Sequence, residues 1–160
     1  LCGNHAFELS GQRILILGAG GAAAGILGSL LAENPREVVL VNRNLERAGV
    51  LAERFGSVGD IQVTSWVDLS RQGGFDLVIN ATSLGHDGKA PPLPASIFAP
   101  GTVCYDLNYF KASRPLKNHC EEIQQRYIDG LGMLVEQAAE SFYIWHGVKP
   151  ETKPVMRALR

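Results

Sequence analysis

Gly18, Gly20 and Ala23 stand in the order G-x-G-x-x-A within LGAGGAA at 17–23. Residues of this kind at this spacing hold phosphate with backbone rather than side chains. Gly18 permits a tight turn, Gly20 lets the main chain approach a pyrophosphate, and Ala23 allows a helix to pack closely on a strand. A helix opening here aims free N–H groups and the positive end of its dipole at the anion. The motif alone is weak. Its context strengthens it, because RILIL at 13–17 is a buried-strand run and the residues from Gly21 on have helical spacing. A merely tight strand-to-helix turn is the bland alternative.

A second cluster, Asn42-Arg43-Asn44, begins 24 residues after Gly18, directly behind the apolar run EVVLV at 37–41. A pocket for NAD ends this strand with Asp or Glu to bind the ribose 2′-hydroxyl. No carboxylate stands there. Arg43 can stack on adenine or bind a 2′-phosphate, and Arg47 follows four residues later on the same side. The planar guanidinium donates two hydrogen bonds at once, which suits phosphate. Each arginine taken singly reads as a solvated surface charge. The pair at this place points to NADP.

These groups need a scaffold. The sequence predicts strands at 13–17, 37–41, 61–64, 75–79, 102–106 and 127–128. It predicts helices at 21–33, 45–55, 115–125, 131–146 and 152–159. Asn34-Pro35 and Gly56 stop the first two helices, and Pro100-Gly101 reads as a turn before the fifth strand. Alternating strands and helices imply an α/β Rossmann-type fold, a doubly wound parallel sheet of about six strands with helices on both faces. The loose, Pro-rich stretch 87–94 follows the fourth strand, at the sheet edge where ligands bind in open α/β folds.

The 160 residues suit a single domain, with 1–12 as a linker segment and 130–160 as C-terminal helices. The net charge of -1 gives no basic footprint for nucleic acid and no polybasic membrane signal. No apolar run is long enough to span a bilayer. Leu1 to His5 lacks the pattern of a signal peptide, and the absence of an initial Met leads us to expect a piece of a longer chain. Cys2, Cys104 and Cys120 are odd in number and widely spaced, which fits a reducing cytoplasm rather than a disulfide framework. His119-Cys120 has no companion cluster at metal spacing and reads as a helix-surface pair. No metal is expected.

Taken together, the motifs resemble the shikimate dehydrogenase family. The matching stretches are GAGGA at 18–22, NRN at 42–44 with Arg47, NATSLG at 80–85, YDLNY at 105–109, DGLGMLVEQAA at 129–139 and FYIWHG at 142–147. The resemblance is to the family's C-terminal, NADP-binding domain. It implies that an N-terminal domain supplies most of the shikimate pocket, including the Lys and Asp of proton transfer. No catalytic residue is then expected in this chain, and the fragment alone should be inactive.

The resemblance also implies roles. Gly18, Ala19, Gly20, Gly21 and Ala22 would wrap the pyrophosphate of NADP. Asn42, Arg43, Asn44 and Arg47 would hold the 2′-phosphate end, with Asn44 where the family usually has Thr. Thr82 and Ser83 would lie beside the nicotinamide ribose. Leu107, where relatives often have Met, would pack on the nicotinamide, and Gly130 would touch its amide through the backbone. Met133, near a helix start, would also face the cofactor. Tyr109 would reach the shikimate carboxylate and Gln137 its ring hydroxyls.

Other residues carry plainer readings. Asn80 and Asp106 end strands and cap turns, and Asp129 caps a helix. Leu134, Phe142 and Trp145 fall at helical spacing and are expected in the core. His86 is given no catalytic role, and His146 reads as a helix-end histidine. The expected function is NADPH-dependent reduction of 3-dehydroshikimate to shikimate in aromatic amino-acid biosynthesis, in the cytoplasm, without nucleic-acid or membrane partners and with a homodimer left open. A quinate/shikimate dehydrogenase using NAD and a non-catalytic nucleotide-binding module are the alternatives.

Overall fold

The computed structural model describes residues 5–160. Cys2 and the reading of the first four residues lie outside them. Six strands, β1 (Arg13–Leu17), β2 (Glu37–Val41), β3 (Ile61–Thr64), β4 (Phe75–Asn80), β5 (Phe98–Asp106) and β6 (Arg126–Ile128), form one sheet. Its order is β3-β2-β1-β4-β5-β6, and every pairing is parallel. This is the doubly wound Rossmann arrangement expected from the alternation of elements. The helices are α1 (Gly21–Ala32), α2 (Leu45–Phe55), α3 (Arg114–Glu122), α4 (Leu131–His146) and α5 (Thr152–Ala158).

Strands β1 and β2 bury four of five residues each, because helices cover both faces. Alternate side chains feed two cores. Ile14, Ile16, Val38, Leu40, Leu77 and Ile79 pack with Ala23 and Leu27 of α1 and Ala48 of α2. Leu15, Leu17, Val39, Val41 and Val78 pack on the opposite face with Leu116 and Cys120 of α3. Cys120 is therefore a core residue. The surface pair expected at His119-Cys120 is corrected, since the i, i+4 stripe of α3 turns Cys120 inward. Among the described residues, no group of three or more His, Cys, Asp or Glu is placed to hold a metal ion. None of their helices is long and apolar enough to cross a membrane.

Two elements differ from expectation by more than one residue. Strand β5 starts at Phe98, so Pro100-Gly101 lies inside it as a bulge. The register jumps there from Phe75↔Phe98 to Leu77↔Val103. Gly101 takes φ +85°, and the Thr102 hydroxyl donates to Phe75 O at 2.6 Å, pinning the bulge to β4. Helix α3 stops at Glu122 because Gln124 adopts φ 56°. Short 3-10 turns at Leu69–Arg71, Leu84–Asp87, Ala95–Ile97 and Phe110–Ser113 occupy stretches with no regular element foreseen.

Helix α4 corrects one core expectation. Its burial runs through Leu131, Gly132, Val135 and Ala139 and ends there. Phe142 is 43% exposed and Trp145 76% exposed, so neither is core in this chain. The apolar stripe continues along the helix beyond Ala139, where burial ends. His146 does end the helix, before Gly147 in the left-handed conformation.

Candidate dinucleotide site

The carboxyl ends of four strands come level. Leu17 pairs with Val41 and with Asn80, and Asn80 pairs with Asp106. The strand order reverses between β1 and β4, so the crevice between the loops that leave them is the switch point where such sheets bind ligands. The ladder extends one step past the strands. Gly18 N donates to Val41 O at 2.8 Å, Ala81 N to Leu17 O at 2.9 Å, and Leu107 N to Asn80 O at 3.0 Å.

A cavity of about 670 Å³ opens at this edge. Gly18 to Ala22, Asn42, Arg43, Arg47, Thr82 and Ser83 all line it. These residues come from the loops after β1, β2 and β4 and from the first turns of α1 and α2, and the sequence assigns each of them to the site. Gly18 is obligatory on two counts. Its φ is +96°, and a Cβ would lie 3.0 Å from Ala81 O. Gly20 occupies the N-cap of α1 with no side chain capping the helix, so the first N–H groups remain open to a ligand. An Arg47 guanidinium nitrogen lies 3.9 Å from where a Gly20 Cβ would stand. Arg47 thus reaches back over the glycine loop, bringing positive charge to the open helix end.

Other expected site residues sit outside the cavity lining. The Asn44 side chain accepts from Arg47 N at 2.9 Å and serves as the N-cap of α2. Leu107 is buried in the first core, against which Met133 packs. Gly130 N donates to Asn108 O at 2.9 Å, and a Cβ on Gly130 would come 2.4 Å from Leu107 O. The start of α4 is therefore pressed against the loop after β5. Tyr109 lies at the surface with its ring edge-on to Phe110, and Gln137 is exposed on α4. Asp129 is not the helix cap expected: Gly130 is the N-cap of α4 and no side chain caps it, while Asp129 accepts from Leu131 N at 3.3 Å in a local turn before the helix.

The sequence reading missed Trp66, Ala81, Leu84, Asp87 and Pro92, which also line the cavity. Asp87 and Pro92 belong to the Pro-rich stretch already placed at the sheet edge. Trp66 follows β3 by two residues, so its position at that edge was available from the strand assignment alone.

Residues 2–86 match the family described as shikimate / quinate 5-dehydrogenase, and residues 130–160 match the shikimate 5′-dehydrogenase C-terminal domain. The chain belongs to the shikimate/quinate 5-dehydrogenase family. The shikimate dehydrogenase (NADP(+)) of Alkalilimnicola ehrlichii is 49% identical over 158 residues, covering 98% of this chain and 58% of that protein. The structure of an Ael1 enzyme from Pseudomonas putida superposes with a TM-score of 0.88 at 38% identity, covering 99% of this chain and 58% of that one. A shikimate dehydrogenase solved in complex with NADP+ superposes at 0.75 and 29% identity, over 93% of this chain and 54% of that one. The chain spans a little over half the length of the relatives it matches.

Proposed function

We propose that this chain is the NADP-binding domain of a shikimate dehydrogenase, which reduces 3-dehydroshikimate to shikimate in the cytoplasm with NADPH. The observation that carries the reading is the cavity shared by the glycine loop, Arg43 and Arg47, where β2 ends in Asn42 rather than a carboxylate. The printed name of the Alkalilimnicola relative and the NADP+ complex of a structural neighbour support it.

The residues present fit the cofactor. The uncapped N-terminus of α1 and the bare Cα of Gly20 would hold the pyrophosphate through backbone N–H groups. Arg43 and Arg47 would clamp the 2′-phosphate, and Asn42 would border it. Asn42 Nδ2 donates to Asn44 O at 2.8 Å, fixing the bend that presents Arg43. Thr82, Ser83, Leu107, Gly130 and Met133 would enclose the nicotinamide end and exclude water from it. Bound NADPH supplies a hydride to the ketone carbon. Tyr109 and Gln137 would orient the substrate across the cleft, and a Lys outside these residues would supply the proton. The chain's own task is to hold the nicotinamide end at near-attack distance.

Calorimetric titration of the purified chain with NADP and NAD tests the pocket. NADP should bind more tightly, and equal affinity or a preference for NAD would favour the NAD-using quinate/shikimate reading instead. The chain alone should show no shikimate oxidation. Turnover at an ordinary enzymatic rate would place the proton-transfer groups within these 160 residues and overturn that part of the reading.

A further inference from the structure

Asp106 is fully buried, and none of the ion pairs found among the described residues involves it. Its polar partners come from three parts of the chain. Oδ1 accepts from Asn80 Nδ2 at 2.9 Å, from Asn108 N at 3.0 Å and from Asn108 Nδ2 at 2.9 Å. Oδ2 faces the Tyr127 hydroxyl at 3.3 Å. The donors continue outward. Asn80 Oδ1 accepts from Thr82 N at 3.1 Å and Thr82 Oγ1 at 2.7 Å. Asn108 Nδ2 also donates to Thr82 O at 3.0 Å, and Asn108 O accepts from Gly130 N at 2.9 Å. One carboxylate thus joins the loop after β4, the loop after β5 and the start of α4.

We propose that Asp106 is a positioning residue for the nicotinamide end of the dinucleotide site, acting through Asn80 and Asn108 on Thr82 and Gly130. The proposal rests on the NADP-binding reading above. Its physical basis is orientation. Asn80 has its acceptor committed to Thr82 and its donor to Asp106, so the amide cannot turn over without losing both sets of bonds. Asn108 Nδ2 donates to both Asp106 Oδ1 and Thr82 O, so turning that amide over would lose both bonds. Removing the central acceptor leaves Asn80 Nδ2 and Asn108 N without a partner and Asn108 Nδ2 with Thr82 O alone, and the two loops lose their common anchor. The glycine loop and the arginines, on the far side of β1, make no bond to this network.

That asymmetry gives the test. NADP carries both halves of the ligand, whereas adenosine 2′,5′-bisphosphate carries only the half held by Arg43 and Arg47. Calorimetry of the chain with each probe should show NADP binding more tightly to the unsubstituted protein. Asp106→Ala should weaken NADP by about tenfold and leave the bisphosphate within about twofold. Asp106→Asn keeps the Oδ1 acceptor and should restore NADP binding to within about threefold. Should Asp106→Ala fail to fold, Asn108→Ala removes the side-chain bonds that tie Asp106 and Thr82 O together through Asn108 Nδ2, and should shift the two ligands in the same pattern. Parallel loss of both ligands, no loss of either, or failure of the asparagine to restore binding would overturn the proposal. Equal affinity of the unsubstituted chain for both probes would also overturn it, while leaving the NADP reading standing. Binding of neither probe would overturn both.

Discussion

The Asn44 side chain accepts the Arg47 amide at 2.9 Å and so builds the first turn of the helix that carries the Arg47 guanidinium over Gly20. Asn44 supports the helix that carries Arg47 and does not line the cavity. Asn44→Ala should cost about 1 kcal/mol of stability through the lost cap. Asn44→Asp keeps the cap but brings a carboxylate beside the 2′-phosphate. It should weaken NADP without weakening NAD, as titration of the two variants with both nucleotides will show.

The two arginines should separate the cofactors directly. On the proposed reading, Arg43→Ala or Arg47→Ala would remove a charge-assisted partner of the 2′-phosphate and should cost about 1 to 2 kcal/mol, roughly five- to thirtyfold in NADP affinity. NAD lacks that phosphate, so its affinity should stay within about twofold. Raising the salt concentration should shrink the NADP advantage of the unsubstituted chain, because both side chains are exposed.

Glycines sort by what a Cβ would meet. At Gly85 it would lie 1.9 Å from Ala112 O, where the turn after β4 meets the turn before α3. Backbone must move, so Gly85→Ala should destabilise by about 2 kcal/mol or more. At Gly25, inside α1, nothing lies within 4 Å. Gly25→Ala should stabilise by about 0.5 to 1 kcal/mol through helix propensity. Urea unfolding of the two variants reads both signs in one assay.

Asp106 predicts a pH dependence. Burial pushes its carboxyl above the ordinary value of 3.8, against the opposing hydrogen bonds from Asn108, Asn80 and Tyr127. Tyr127 has one proton and faces two acceptors, Asp106 Oδ2 at 3.3 Å and Ser113 O at 3.2 Å. An ionised Asp106 competes with Ser113 O for that proton. Below 3.8 the carboxyl is neutral in both folded and unfolded chains. As pH rises from there to the raised folded value, the unfolded chain releases the proton first, so this group's contribution to stability falls and then levels off. In Asp106→Asn the amide donates to the phenol, which donates to Ser113 O, and nothing ionises. The variant should be more stable than the unsubstituted chain at neutral pH, with an advantage that shrinks toward about pH 4. A constant difference across that range would contradict the assignment.

What was legible in the sequence follows from locality. RILIL, EVVLV and the helix from Leu45 to Phe55 took the bounds their own residues set, because β-branched runs and a glycine stop act over a few positions. The glycine loop and Arg43 were equally readable, since each directly follows a strand. Strand β5 was read short because its bulge depends on Thr102 bonding to Phe75, 27 residues away. Asn80 and Asp106 were read as separate turn caps for the same reason. Each does cap a turn, through Thr82 N and Asn108 N. Their link to each other exists only because β4 and β5 pair in this register. The exposed end of α4 was misread because an apolar stripe states that a face is covered, not by which part of the protein.

Trp66 offers a direct optical check on the site. The chain has two tryptophans, Trp66 lining the cavity and Trp145 at 76% exposure on α4. NADPH in the cavity should quench Trp66 and accept its excitation energy, while Trp145 stays in a solvent environment. The quench should vanish in Trp66→Phe and persist in Trp145→Phe. Trp66 also packs on the second core, with Val39, Val41 and Leu69 among its members, so Trp66→Phe leaves a smaller ring there and should lower stability modestly, by about 1 kcal/mol. NADPH affinity measured by calorimetry on that variant separates loss of the reporter from loss of the wall. Affinity retained with the quench gone makes Trp66 a bystander at the cavity rim. Affinity reduced about threefold or more makes it part of the surface on which the nucleotide rests. A quench that survives in Trp66→Phe and disappears in Trp145→Phe would move the dinucleotide out of this cavity altogether.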